Sequence, residues 1–241
     1  MTAARRCTAY ARFDLVTLLR NPEQLLLTVV IPLVILWGAT ALPLGALGPG
    51  PRIDTVAPGV LALAVLSTAF TALAISTGFE RRSGALRLLA TTPLTRGELL
   101  AGKALSTLSL VALQCVLISG AAGMLDWRPT GWPLLVVGLL LGTLSLAALG
   151  MAIAGVLRAE ATLAVANGIF LVLLLAGGTV LPTTSLPTGV AAVVGWLPTA
   201  ALGDWLRIAA AGGTFPIADA VTLLAWTVIG VVIVTRRFRW T

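Results

Sequence analysis

Apolar residues fall in long blocks along this chain, and six blocks stand out: Leu25–Leu44, Val56–Gly78, Ala101–Leu125, Trp132–Leu157, Thr162–Val180 and Ile217–Thr235. A helix rises about 1.5 Å per residue, so about 20 apolar residues match about 30 Å of bilayer hydrocarbon. The pattern therefore predicts an all-α membrane protein with six transmembrane helices, one domain over 1–241. The first block has some likeness to a signal peptide, with Ala39-Thr40-Ala41 as its cleavage site. The mixed segment before it holds Asp14 and Glu23, whereas a signal peptide opens on a short basic region. A spanning helix is the expectation.

Two other segments carry a helical pattern. Residues Ala3–Arg20 mix charge with Tyr10, Phe13, Leu15, Val16, Leu18 and Leu19. This predicts an amphipathic helix at the membrane surface, within an interfacial segment 1–22. Residues Leu181–Gly213 are too apolar for a free loop, and Pro182, Pro187 and Pro198 divide them. Short helices packed at the outer face are expected over 181–213.

Charge orients the chain. With both termini inside, thirteen of the sixteen basic residues lie on inner segments; Arg52, Arg128 and Arg207 lie outside. The positive-inside rule then puts both termini in the cytoplasm of a bacterial cell membrane. Trp127, Trp132, Trp196, Trp205 and Trp240 fall near the expected interfaces, as aromatic belts do. Composition agrees: 58% of residues are hydrophobic and 10% charged, against about 45–50% and about 25% in soluble domains. A net charge of +7 reads as loop charge, since no soluble basic domain exists to bind nucleic acid. There is no histidine, and Cys7 and Cys115 have no spacing that suggests a disulfide or zinc site. No catalytic or metal site is expected.

The inner segment 79–100 raises the main chemical question. Gly97–Ala104 reads GELLAGKA, close to the phosphate loop G-x-x-x-x-G-K-[ST]. That loop needs amides aimed at a ligand, after a strand. Here Glu98, Leu99, Leu100 and Ala101 are strong helix formers, and Ala104 stands where a hydroxyl should bind Mg²⁺. Thr95-Arg96-Gly97-Glu98 reads instead as a capping box. Upstream, Ser83–Ala90 predicts a short helix of about two turns, ended before Thr92-Pro93 because a residue before proline leaves the α region.

The runs ERRSGAL, TTPLTR and ELLAGKAL between Glu80 and Leu105 resemble the loop of type-2 ABC exporter permeases. Gly177-Gly178, Leu181-Pro182, Leu186-Pro187, Trp196-Leu197-Pro198-Thr199 and Leu206-Arg207 are similar to that family's pattern between its fifth and sixth spans. Members often carry glutamate where Arg87 stands, and an aromatic residue and a valine where Ala201 and Gly203 stand. The resemblance implies a permease that binds no cofactor, with ATP and Mg²⁺ held by a separate ABC ATPase subunit. It implies a second copy of the permease, or a related one, and a lipid membrane around both. Ser83–Ala90 would be the cytoplasmic coupling helix, with Glu80, Arg81, Arg82, Ser83, Leu86, Arg87, Leu89, Thr92, Pro93 and Arg96 at the ATPase contact. Gln114 and Asn167 are the main amides within spans, and Asn167 is a candidate for the substrate path. The family's cavity is bordered by its first, second and fifth spans, which makes Phe70, Thr71 and Phe170 further candidates.

The spans lack charge between their ends, which speaks against coupling to a proton or sodium gradient. An apolar path suits a hydrophobic or amphipathic cargo such as a drug, an antibiotic or a lipid-like molecule. Asn167 is equally read as a hydrogen bond to a neighbouring helix, and Gly138-x-x-x-Gly142 as close packing within the chain. A non-transporting scaffold, such as an assembly or immunity factor, and a secondary transporter are the alternatives to an exporter.

Overall fold

The computed structural model describes residues 2–42, 51–177, 179, 183 and 187–237. The expected end of the first span at Leu44, and Gly178, Leu181, Pro182, Leu186 and Trp240, lie outside the described residues. Helix α1 is Ala3–Leu19. Helix α2 covers 22–41, as Pro22–Leu25, the π-helical stretch Leu26–Val30 and Ile31–Ala41. Helix α3 is Arg52–Arg82, with a second π-helical stretch at Leu66–Ala72. Then come α4 (Ala85–Leu89), α5 (Arg96–Gly123), α6 (Trp132–Val156) and α7 (Ala159–Ala176). Last are α8 (Thr188–Val194), α9 (Pro198–Ala210) and α10 (Ile217–Arg237).

Helices α3, α5, α6, α7 and α10 are long and apolar enough to span a bilayer; the apolar part of α2, Thr28–Ala41, is shorter. The chain is an all-α, multi-pass membrane protein. At about 1.5 Å per residue, the 31 residues of α3 and the 28 of α5 reach about 46 and about 42 Å, well beyond about 30 Å of hydrocarbon. The overhang of each is where the charged residues Glu80, Arg81, Arg82, Arg96 and Glu98 lie.

Helix α6 is the hub, with α3, α9 and α10 packed on it. The G-x-x-x-G pair explains the closeness. A Cβ on Gly138 would run into the Trp205 ring, and one on Gly142 would sit 2.6 Å from Leu202 Cδ1. Small residues let helices approach in lipid, and here the partner is α9 of the same chain.

That contact seats the second of the short helices expected over 181–213. Helices α8 and α9 meet at a bend of 102°, forming a re-entrant pair. From Leu202 at Gly142, α9 climbs antiparallel to α6 until the Gly131 amide donates to the Ala209 carbonyl at 3.1 Å. Trp205 is no belt residue. It is fully buried, and its Nε1 donates to the Leu134 carbonyl at 2.8 Å. Trp127 is buried too, while Trp132 and Trp196 are exposed. Arg207 belongs to α9. It donates to Asp204 Oδ1 at 3.2 Å and to the Thr179 carbonyl at 3.1 Å.

Helix α1 does not lie free on a surface. It runs lengthwise along the start of α5, in register every four residues. Arg6 pairs with Glu98 at 2.5 Å, the Tyr10 ring packs over Gly102, and Asp14 accepts a hydrogen bond from Ser106. Phe13 and Val16 point away from α5 and are exposed, which leaves an apolar edge for lipid.

Candidate functional site

The segment that joins α3 to α5 forms one end of the bundle. Gly84 has φ 80°, a left-handed conformation that costs glycine nothing, and it turns the chain out of α3 into α4. Helix α4 has five residues, shorter than the expected Ser83–Ala90. Leu86 and Leu89 do share a face, but it is the inward one: Leu86 is fully buried in the chain's own core and Leu89 is half-buried. Leu86 therefore offers no contact to a partner. The outward positions are Arg87 and Leu88, the latter 71% exposed. Leu88 was not singled out in the sequence, because the spacing of Leu86 and Leu89 defines a face without saying which way it turns.

Thr92 donates to the Leu89 carbonyl at 2.6 Å and closes the turn after α4; Thr92, Pro93 and Arg96 are exposed. The capping box forms. The Glu98 amide donates to Thr95 Oγ1 at 3.3 Å, and the Thr95 amide donates to Glu98 Oε2 at 2.9 Å. GELLAGKA is thus the first turns of α5: Thr95 takes the Glu98 and Leu99 amides, and the helix takes those that follow.

The remaining polar candidates serve the bundle itself. Lys103, the only lysine in the sequence, is 1% exposed. Its Nζ lies 2.8 Å from Glu80 Oε1 and 3.8 Å from Asp14 Oδ1. This cluster ties α1, α3 and α5 together, and Glu80 is occupied by it. The nearby Tyr10 hydroxyl is pushed toward the neutral form by burial, then by the charges of Glu80 and Asp14. The bond to Glu98 holds the Arg6 guanidinium in its charged form. Arg81 donates to the Gly155 carbonyl at 3.2 Å and to the Leu157 carbonyl, so it caps the end of α6. Arg82 pairs with Glu160 on α7, both exposed, and Ser83 donates to the Glu80 carbonyl.

The candidates within the spans converge better. Thr71, Asn167 and Phe170 line one groove of about 830 Å³ between α2, α3 and α7, along with Thr28, Ile31, Ile35, Ser67 and Ile75. Asn167 is exposed to this groove, and Thr71 Oγ1 has no hydrogen-bond partner among the described residues. Phe70 is not part of it: at 1% exposure it packs in the core toward α6. Both π-helical stretches reach the groove wall, and one residue holds them. Buried Gln114 on α5 accepts from Thr68 Oγ1 at 3.0 Å and donates to the Thr28 carbonyl at 2.8 Å. Single π turns inside α-helices are frequent at functional sites. The π turns themselves left no legible mark in the sequence.

Among the described residues no group of three or more potential ligands is arranged to hold a metal. A second apolar groove, of about 500 Å³, runs between α5 and α6 past Cys115 and Thr143, and holds none of the candidate residues.

Residues 51–236 match the family described as ABC-2 family transporter protein. The chain is also 34% identical over 112 residues to Heme exporter protein B of Paracoccus denitrificans (strain Pd 1222), over 46% of this chain and 51% of that protein. It therefore spans about half the length of that curated relative.

Proposed function

Because the chain belongs to the ABC-2 family of transporter proteins, we propose that it is the permease of an ATP-driven exporter whose cargo moves along the α2–α3–α7 groove. As a family member it is a transport component rather than a catalyst, and a separate ATPase subunit supplies the energy. The observation that carries this reading is the convergence of Thr71, Asn167 and Phe170 on a single groove between the spanning helices α3 and α7 and the shorter apolar helix α2. Among the described residues, none closes that groove on the side between α2 and α7. Exposed apolar residues flank it, Val34 and Trp37 on α2 and Leu171 and Leu175 on α7, and a second permease copy would cover them.

The ATPase would dock at the end of the bundle that carries α4, on Leu88, Thr92, Pro93 and Arg96. This end holds most of the basic residues, so the positive-inside rule makes it cytoplasmic. The overhang of α3 and α5, clamped to α1 by the Lys103 cluster, would carry motion from the loop to the groove walls.

The groove lining is apolar with hydroxyl and amide groups, and carries no charged side chain among the described residues. This favours a neutral amphipathic cargo. The name of the Paracoccus relative raises heme as a second reading. Heme carries two carboxylates and an iron, however, and this chain offers neither a cation in the groove nor any histidine.

The test is ATP-dependent efflux of a neutral lipophilic dye, Nile red, from proteoliposomes holding the permease and its ATPase. Filling the groove with Thr71→Trp and Asn167→Trp is expected to abolish efflux while the ATPase still co-purifies. Efflux that survives both substitutions would remove the groove from the path. Dye movement that needs an ion gradient would favour a secondary transporter, and no movement of any cargo tried would favour a scaffold.

A further inference from the structure

At the same end of the bundle, but turned away from α1, lies a polar cleft of about 690 Å³. Arg81, Arg82, Arg87, Arg158, Arg237 and Glu160 line it, drawn from α3, α4, the α6–α7 junction and the last turn of α10. Five guanidinium groups face one carboxylate. Arg81 is engaged with the carbonyls that end α6, and Arg82 with Glu160. The guanidinium groups of Arg87, Arg158 and Arg237 make no hydrogen bond or ion pair within the described residues. Like charges gathered in a cleft raise its potential and draw in an anion.

The setting of the cleft narrows the choice of anion. Its walls are the ends of membrane-spanning helices, at the depth of lipid headgroups. Its rim is apolar: Val156 lines it and is 56% exposed. One turn above Arg237, Val232 and Ile233 are exposed and continue the lipid-facing side of α10. An ATPase surface would present carboxylates but leave that rim uncovered. A phospholipid satisfies both parts, with phosphate among the arginines and acyl chains along the rim. Planar guanidinium groups bind phosphate through paired hydrogen bonds, and basic pockets between spanning helices take anionic headgroups.

We propose that this cleft binds the headgroup of an anionic phospholipid, a site that goes beyond the transport groove. The test uses the delipidated permease alone, without ATPase, and reads thermal unfolding in detergent. Arms contain phosphatidylglycerol, phosphatidylcholine or inorganic phosphate. Phosphatidylglycerol is expected to raise the midpoint and phosphatidylcholine to leave it unchanged. Arg87→Gln, Arg158→Gln and Arg237→Gln together should weaken phosphatidylglycerol binding at least about tenfold, about 1.4 kcal/mol. All three side chains are exposed, so their loss opens no core, and the matched triple lysine variant should keep part of the effect. Equal stabilisation by inorganic phosphate would make the site one for a soluble anion and overturn the proposal. So would a phosphatidylglycerol effect that persists in the glutamine variant. No rise with phosphatidylglycerol in the wild type would overturn it as well.

Discussion

Replacing Lys103 by methionine keeps the length of a side chain that is 1% exposed and removes its charge. Glu80 then loses a partner at 2.8 Å and Asp14 one at 3.8 Å. The Glu80 carboxylate already has one oxygen, Oε2, without a partner. Removing one member of a buried ion pair typically costs about 3–5 kcal/mol, because the other charge stays buried. The Glu80 side chain is 27% exposed and that of Asp14 13%, so some water reaches both and the lower end, about 3 kcal/mol, applies. For a domain of this size, each kcal/mol moves the unfolding midpoint by about 2–4 °C. Lys103→Met should therefore lower the midpoint of the purified permease by about 6–12 °C. Adding Glu80→Gln and Asp14→Asn should recover most of the loss, since no charge is then left unpaired. A second arm addresses the phosphate-loop likeness of GELLAGKA. ATP at about 1,000 times its dissociation constant would stabilise a binding protein by about 4 kcal/mol, yet millimolar ATP should leave both proteins unmoved. A Lys103→Met midpoint within about 2 °C of wild type would refute the structural role. An ATP-induced rise in the wild type alone would restore the nucleotide role.

The loop should separate two leucines. Leu88→Asp, on the exposed face of α4, should leave the midpoint unchanged and reduce ATPase co-purification, whereas Leu86→Asp should lower expression and stability by burying an unpaired charge. Gly142→Leu should destabilise by about 1–3 kcal/mol in the same melts, because it overpacks against Leu202; on a free helix face, removing a glycine would instead gain up to about 1 kcal/mol. In a cysteine-free background, cysteines beside Arg52, Arg128 and Thr188 should react with an impermeant reagent added to intact cells, and cysteines beside Arg82 and Arg237 should not. The reverse pattern would invert the proposed topology.

Much of the architecture was legible in the chain. Each of α3, α5, α6, α7 and α10 answers to an apolar block, because a backbone in hydrocarbon must satisfy its own hydrogen bonds and needs about 20 apolar residues to cross. The Thr95–Glu98 cap and the break before Pro93 were legible as well, since both depend on side chains within four residues of one another. Of the groove residues, Thr71 and Phe170 were candidates by resemblance to a family, and Asn167 as an amide within an apolar span.

What stayed hidden depends on how each helix is turned. In water, the buried face of a helix is apolar and the outer face polar, so sequence spacing reports direction. In a bilayer the lipid-facing side is apolar too. Thus Phe70, in the core, and Phe170, on the groove, look alike in sequence, as do buried Trp205 and exposed Trp196. The inward turn of Leu86, the seating of α9 against Gly138 and Gly142, and the meeting of Lys103 with Asp14 and Glu80 all join residues far apart in the chain. The sequence by itself determined which segments enter the membrane, because that is a matter of length and local polarity. Only the tertiary structure decided which sides of those segments meet, because close packing between helices, not avoidance of water, sets that choice within lipid.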